Sequence, residues 1–252
     1  MIRLAGLDKY YMGRCVLRGV SLDVDRATVV VGPNGSGKST LLKLVSGIVY
    51  PNRGTVYIGG IDVFRAREEA LDGVGVLVDP VSFPGSLLVS DVIDIVERNV
   101  GSVDELLELL GIESGLYESR IKYLSMGEAK KIRLLVALAR GAKIVVLDEP
   151  FTNLDERTQV RLLRYLLKNR SGKLLLASTH NVKLGVLLAD RIFYLDNCRL
   201  KDYFDEGNPR EVKLVYRGRS LVVDRGKESR FEMIYDFLSR VTRMSELEVY
   251  VS

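Results

Sequence analysis

The sequence predicts an α/β fold: a mostly parallel sheet core with an antiparallel β subdomain, an inserted helical subdomain and a small C-terminal α+β appendage. Three observations predict it. Apolar runs of strand length alternate with stretches of helical spacing, which implies a largely parallel sheet. Two strand-like runs follow one another at the N-terminus, the pattern of an antiparallel edge. A glycine-rich segment, Gly32 to Thr40, joins an apolar strand to a helix, so that it falls at a strand's carboxyl end, where open sheets bind ligands.

Taken in order, Ile2 to Tyr11 and Leu17 to Val24 read as strands, with Val20, Leu22 and Val24 on one face and Ser21 and Asp23 on the other. Thr28 to Val31 is a β-branched run, and Leu41, Leu42, Leu44, Val45 and Ile48 recur at helical spacing after it. Pro51 to Gly54 signals a turn, Thr55 to Ile58 a strand, and Val74 to Val78 an apolar run closed by Asp79-Pro80. From about 81 to 140 the spacing turns helical. Leu87, Leu88, Val92, Ile93 and Val96 form one set and Leu106, Leu107, Leu109 and Leu110 another, punctuated by Gly101, Gly111 and Gly115. A further helix is expected from Ser125 through Ala139, a buried strand over Lys143–Leu147, a helix over Glu156–Lys168, a strand over Leu174–Ser178 and a βα-like segment through Leu195. The pattern breaks at Gly207-Asn208-Pro209. Beyond it, Val212–Tyr216 and Ser220–Val223 read as a hairpin, Phe231–Val241 as a helix and Leu247–Val251 as a last strand, a β-β-α-β unit over 205–252 appended to a main domain over 1–204.

Composition narrows the function. The 252 residues carry 37 lysines and arginines against 33 acids, a net +4 spread without blocks, so nucleic acid is not an expected partner. No apolar run is long enough to span a membrane and no signal peptide is read at the N-terminus. Cys15 and Cys198 stand alone in sequence, too few for a disulfide framework or a zinc site, and read as buried small hydrophobes in a reducing interior.

The segment Gly32-Pro33-Asn34-Gly35-Ser36-Gly37-Lys38-Ser39-Thr40 fits the phosphate-loop pattern of two glycines five apart followed by lysine and a hydroxyl. Its glycines let backbone N–H groups converge on phosphate oxygens, Lys38 supplies a point charge, Ser39 offers a hydroxyl to Mg2+, and the helix start adds its dipole. Asp148 ends an apolar strand, the usual second half of such a site, holding Mg2+ directly or through water. Glu149 follows it and, with the strand ending, can address a different object, an attacking water, as general base. His180, the single histidine, closes another strand; a lone histidine serves structure as readily as catalysis. Tyr11 offers an aromatic face for a base, the alternative being packing.

These motifs, in this order, resemble the nucleotide-binding domain of an ATP-binding-cassette (ABC) protein over residues 1 to about 204, a phosphate-loop NTPase. Gly32–Thr40 is similar to the Walker A motif, Ile144–Glu149 to Walker B with its catalytic glutamate, Asn153-Leu154-Asp155 to the D-loop, His180 to the switch histidine, Tyr11 to the base-stacking aromatic, and Leu124-Ser125-Met126-Gly127-Glu128 to the signature motif. The resemblance implies that ATP and Mg2+ are bound, and that Ser125 and Gly127 of one cassette close over the ATP of a second, in a homodimer or heterodimer. Two departures stand out. Asp79 occupies the place of a usual glutamine, where it can ligate Mg2+ or orient water but adds negative charge near the triphosphate. Met126 replaces the first signature glycine and Glu128 a glutamine. The resemblance further implies an energising subunit, cytoplasmic and peripheral on the inner face of the membrane, that docks on integral membrane subunits on separate chains. Val81-Ser82-Phe83-Pro84 falls at the docking groove, and the signature with Lys130-Lys131 is similar to exporters. The alternatives are a soluble ATPase of cofactor assembly and a low-turnover scaffold; the coiled-coil type is excluded because too few residues separate Lys38 from Asp148.

Overall fold

In a computed structural model, residues 1–79, 83–139, 142–204, 211–224, 227 and 229–251 are described. The chain divides into two compact units: Met1–Ser82, Val136–Pro150 and Gly172–Tyr203 form the first, and Phe83–Leu135, Phe151–Ser171 and Phe204–Ser252 the second.

The first unit holds two sheets. Alternation of buried Ile2, Leu4, Leu7 on β1 (Ile2–Tyr11) and Leu17, Val20, Leu22, Val24 on β2 (Arg14–Val24) gives each strand one apolar face. β1 pairs antiparallel with β2 on one side and with β4 (Arg53–Ile58) on the other, and β4 pairs in turn with the short β5 (Ile61–Asp62). The described strands of the second sheet run in the order β10-β9-β3-β8-β7-β6, with β3 Thr28–Val31, β6 Val74–Leu77, β7 Ile144–Asp148, β8 Leu174–Thr179, β9 Arg191–Asp196 and β10 Arg199–Asp202. Five of these are parallel and β10 turns back along β9. Helix α1 (Lys38–Val45) buries Leu41, Leu42, Leu44 and Val45 in a core shared with Leu4, Leu22 and Val56 of one sheet and Val30, Val146, Leu176 and Leu195 of the other. That shared core fixes the loop before α1 against both sheets.

The second unit gathers α3 (Val89–Val100), α4 (Asp104–Leu110), α6 (Glu156–Lys168), α8 (Arg230–Leu238), most of α5 (Met126–Ala139) and the antiparallel sheet β12-β11-β13 (Arg219–Asp224, Glu211–Tyr216, Glu248–Val251). Arg161 Nη1 donates to Glu108 O at 3.1 Å, joining α6 to α4, and the Arg164 guanidinium lies 4.8 Å from the Tyr235 ring centroid, joining α6 to α8.

Several expectations are corrected. Leu87 and Leu88, read within the helical spacing, precede the helix, which begins at Val89: Leu88 pairs with Arg120 in an isolated bridge and its N–H donates to the Asp91 carboxylate at 2.8 Å, which sets the helix start. Strands β5 and β10 and the one-turn α2 (Arg67–Ala70) went unpredicted. Cys15 and Cys198 are not isolated buried residues: both are partly exposed, and the neighbouring Cys15 thiol raises the Cys198 thiol above its ordinary range. Gly207-Asn208-Pro209, Pro80 and the Val81-Ser82 half of the expected docking segment lie outside the described residues.

Candidate functional site

Parallel register brings the chemistry to one edge of the six-stranded sheet. Val31 aligns with Thr179, Asp148 with Ser178 and Leu77 with Leu147. The segments that leave these strands, beginning at Gly32, Val78, Glu149 and His180, therefore emerge together at the carboxyl ends.

The loop between β3 and α1 is held from two sides. A Cβ on Gly32 would stand 2.3 Å from Leu195 O, and one on Gly37 2.9 Å from Val16 Cγ1, so both positions admit only glycine at this approach. Gly37 also has φ +108 and caps α1 with no side-chain hydrogen bond, so no side chain competes for the N–H groups of the first turn. Pro33 O accepts from Ser36 N at 3.2 Å, closing a turn across Asn34 and Gly35. Lys38 is buried; its Nζ donates to Gly32 O at 2.8 Å and Pro33 O at 3.0 Å and lies 3.7 Å from Glu149 Oε1. Ser36 Oγ is buried with no partner, while Ser39 is exposed and Thr40 half-buried. A shut-away hydroxyl, an uncapped helix start and a buried ammonium on backbone carbonyls are what a polyanion would satisfy.

Across from the loop, Asp148 is buried and accepts at Oδ1 a hydrogen bond from Ser178 Oγ. Ser178 also serves Glu149, whose N–H donates to Ser178 Oγ at 3.1 Å and Ser178 O at 3.2 Å. This clamp holds Glu149 at φ +45, a left-handed conformation unfavourable for a side chain with a Cβ. The bend turns the Glu149 carboxylate to Lys38 on one side and to His180 Nδ1, 3.0 Å from Oε2, on the other. The two acids thus diverge, as read from the ending strand, and Ser178 is the positioning residue that sequence reading missed. Asp79 is exposed at the end of β6. Ser39, Asp148 and Asp79 supply hard oxygen donors of the kind Mg2+ takes alongside phosphate oxygens and water. Among the described residues no group of three or more His, Cys, Asp or Glu could hold a metal ion.

Tyr11 lies exposed at the tip of the β1–β2 hairpin, its ring under Lys9 Nζ at 4.7 Å, on the same hairpin whose Val16 backs Gly37. The remaining predicted residues belong to the second unit. Ser125 precedes α5, where its N–H and its Oγ both donate to Glu128 Oε2, at 2.8 and 2.7 Å, and Glu128 N donates back to Ser125 Oγ at 3.3 Å. That is a capping box. A Cβ on Gly127 would stand 2.7 Å from Asn153 O, so α5 packs directly on the backbone before Asp155. Asp155 caps α6 through Thr158 N–H at 2.9 Å and Thr158 Oγ1 at 2.7 Å, with Lys131 Nζ at 3.4 Å. Met126 and Tyr123 point outward, exposed.

The family model described as "ABC transporter" matches residues 17–152. The energy-coupling factor transporter ATP-binding protein EcfA of Methanothermobacter thermautotrophicus is 34% identical over 268 aligned positions, covering 100% of this chain and 83% of the relative. A molybdate/tungstate import ATP-binding protein of Thermococcus kodakarensis is 30% identical over 79% of this chain and 63% of its own length. A dimeric ATP-binding cassette solved with ADP and Pi has the same fold, with a TM-score of 0.68 at 24% identity over 80% of this chain and 98% of that one.

Proposed function

The chain belongs to the ABC transporter family as an ATP-binding subunit with ATPase activity, and on that premise we propose that its phosphate-loop edge binds Mg-ATP, that two copies close on two ATPs, and that hydrolysis energises transport through integral membrane subunits on separate chains. The observation that carries this reading is the Lys38–Glu149–His180 arrangement beside the unpartnered Ser36 Oγ. An arriving γ-phosphate replaces the two loop carbonyls and Glu149 as the partner of Lys38. Ser36 Oγ and the first-turn N–H groups of α1 take further phosphate oxygens. Released from Lys38, the Glu149 carboxylate accepts a proton from the attacking water, and His180 Nδ1 keeps its other oxygen in place. Ser39 and Asp148, with Asp79 as the third candidate, would hold Mg2+, which supplies charge neutralisation between the phosphates. Tyr11 offers its face to the base.

Ser125 and Gly127 would meet the ATP of the second copy, with Met126 and Tyr123 as the exposed side chains around them. Asp155, engaged as a cap, orients this patch and is a further candidate to meet the nucleotide. Among the described residues no helix is long and apolar enough to cross a membrane, which supports a peripheral subunit on the inner face docked through partner chains. The import named for the Thermococcus relative supports uptake over the export suggested by the signature.

The test is a pull-down with tagged Glu149→Gln protein held in ATP, from detergent-solubilised membranes and separately from the soluble fraction. Recovery of an integral membrane protein in stoichiometric amount is expected, together with an ATP-dependent doubling of mass on size exclusion. Recovery of soluble partners only, or a protein that stays monomeric with ATP bound, overturns the reading.

A further inference from the structure

Asn197 and Cys198 form the two-residue turn between β9 and β10, where Asp196 pairs with Arg199. Both have positive φ, 47 and 64, the geometry of a tight hairpin turn whose second position favours glycine. A cysteine there is held in a conformation its Cβ disfavours. Arg18 N–H donates to Cys198 O at 2.8 Å, tying this turn to β2. On β2, Cys15 sits opposite Tyr10, and its thiol neighbours the Arg18 guanidinium and the Cys198 thiol, whose pKa it raises. Both cysteines are partly exposed, within reach of small oxidants. Each also neighbours a wall of the phosphate loop. Val16, next to Cys15, is the side chain that backs Gly37, and Leu195, on the strand that leads into the Cys198 turn, presents the carbonyl that backs Gly32.

We propose that Cys15 and Cys198 are a two-electron redox site, oxidised to a disulfide by a hydroperoxide, and that the bond ties the two walls of the phosphate loop together and weakens nucleotide binding. The second half of this inference rests on the nucleotide reading of the loop. In the first step the Cys15 sulfur attacks the peroxide: an S–O bond forms, the O–O bond breaks, and the alcohol (or water) leaves with a proton, giving a sulfenic acid. The Arg18 guanidinium neighbours the sulfur that attacks. In the second, the Cys198 sulfur attacks the sulfenic sulfur; the S–S bond forms, the S–O bond breaks, and water leaves with the remaining proton. Two thiols are oxidised and one peroxide is reduced. A tie between the walls holds the loop in the closed form in which Lys38 Nζ rests on Gly32 O and Pro33 O, against the rearrangement a phosphate requires.

The experiment treats the reduced full-length chain with one equivalent of hydrogen peroxide and follows intact mass, a tryptic map, hydrogen exchange of residues 32–38 and binding of a fluorescent ATP analogue. The expected results are loss of two hydrogens in mass, a linked Cys15–Cys198 peptide, slower exchange in the loop and about 5-fold to 150-fold weaker nucleotide binding, the usual range for coupled sites. A thiol reductant reverses all four. Cys198→Gly, which suits the turn, and Cys15→Ser each bind nucleotide as the reduced protein does and lose the response. Over-oxidation to sulfinic acid without the linked peptide overturns the proposal. So does a protein that is already cross-linked and resists reduction, or a disulfide that leaves both loop exchange and binding unchanged. Reduced protein that fails to bind nucleotide at all overturns the functional reading instead, and the linked peptide and loop exchange still decide the redox site.

Discussion

At the phosphate loop the first turn of α1 has no side-chain cap, Ser36 Oγ is buried without a partner and a buried ammonium rests on two carbonyls. At the start of α5, by contrast, Ser125 and Glu128 satisfy each other, and Asp155 is engaged by Thr158 and Lys131. Both places carry motif residues. The first is assembled at the expense of local stability and is completed by something from outside; the second is locally complete, with Met126 and Tyr123 exposed around Ser125 and Gly127. Half-satisfied polar groups mark where a ligand enters, and fully satisfied ones mark where a rigid surface is presented.

The contrast breaks most visibly at Lys38. Lys38→Met removes a charge-assisted donor of a kind that contributes about 1.5–3 kcal/mol, so ATP affinity should fall on the order of 10-fold to 150-fold. The nucleotide-free protein should melt no lower than the parent, because a desolvated ammonium is traded for an apolar side chain of similar length. Equilibrium binding and a thermal melt measure the two halves. A variant that binds ATP normally, or one that loses stability in step with affinity, removes the distinction between the regions.

A smaller effect is expected at Ser178, where one hydroxyl joins Asp148 to the Glu149 backbone. Ser178→Ala takes a donor from a buried carboxylate oxygen, which costs about 1–3 kcal/mol, and leaves the Glu149 N–H only the Ser178 carbonyl. Because Ser178 also holds Glu149 in its left-handed conformation, ATP turnover should fall further than ATP affinity. Ser178→Thr, which restores the hydroxyl, should recover most of both. Equal losses of turnover and affinity would reduce Ser178 to a packing residue.

Legibility follows the same division. Strand Thr28–Val31 and helix Glu156–Lys168 were readable to the residue, because a β-branched run bounded by glycine and an apolar stripe behind an aspartate cap are local signals. The phosphate loop and the Asp148-Glu149 pair were readable because their spacing is local too. Strands β5 and β10 are too short to show a period. Ser178 left no trace because a serine in an apolar strand acquires its role only from the register with β7. Cys15 and Cys198 are brought to one place by packing β2 against the β9–β10 turn, where Arg18 N–H donates to Cys198 O, across most of the chain. The capping role of Glu128 lies between these cases, since Ser125 followed by an acid three residues on is itself a helix-start signature.

The smallest expected effect sharpens the comparison from the side of α5. The Ser125 hydroxyl, then the Ser125 N–H, hold the Glu128 carboxyl below its ordinary range, with Lys131 assisting and burial opposing. Asp155 is lowered as well: burial opposes the shift, but the Thr158 N–H and hydroxyl and Lys131 outweigh it. A carboxylate whose folded value is depressed contributes stability that is present above its unfolded value, about 4.3 for glutamate, and lost as pH falls through the lower folded value. Melting temperature should therefore decline below about pH 4.5, and part of that decline should belong to α5. Glu128→Gln keeps an acceptor for Ser125 and abolishes the titration, so its melting curve should be flatter in acid, by less than about 1 kcal/mol because the pair is exposed and screened. Ser125→Ala should cost about 1 kcal/mol at neutral pH through the lost cap. If Glu128→Gln leaves the acid limb unchanged while Ser125→Ala destabilises at every pH, the cap is held by the hydroxyl alone, and the charge at Glu128 belongs to whatever meets the outward face.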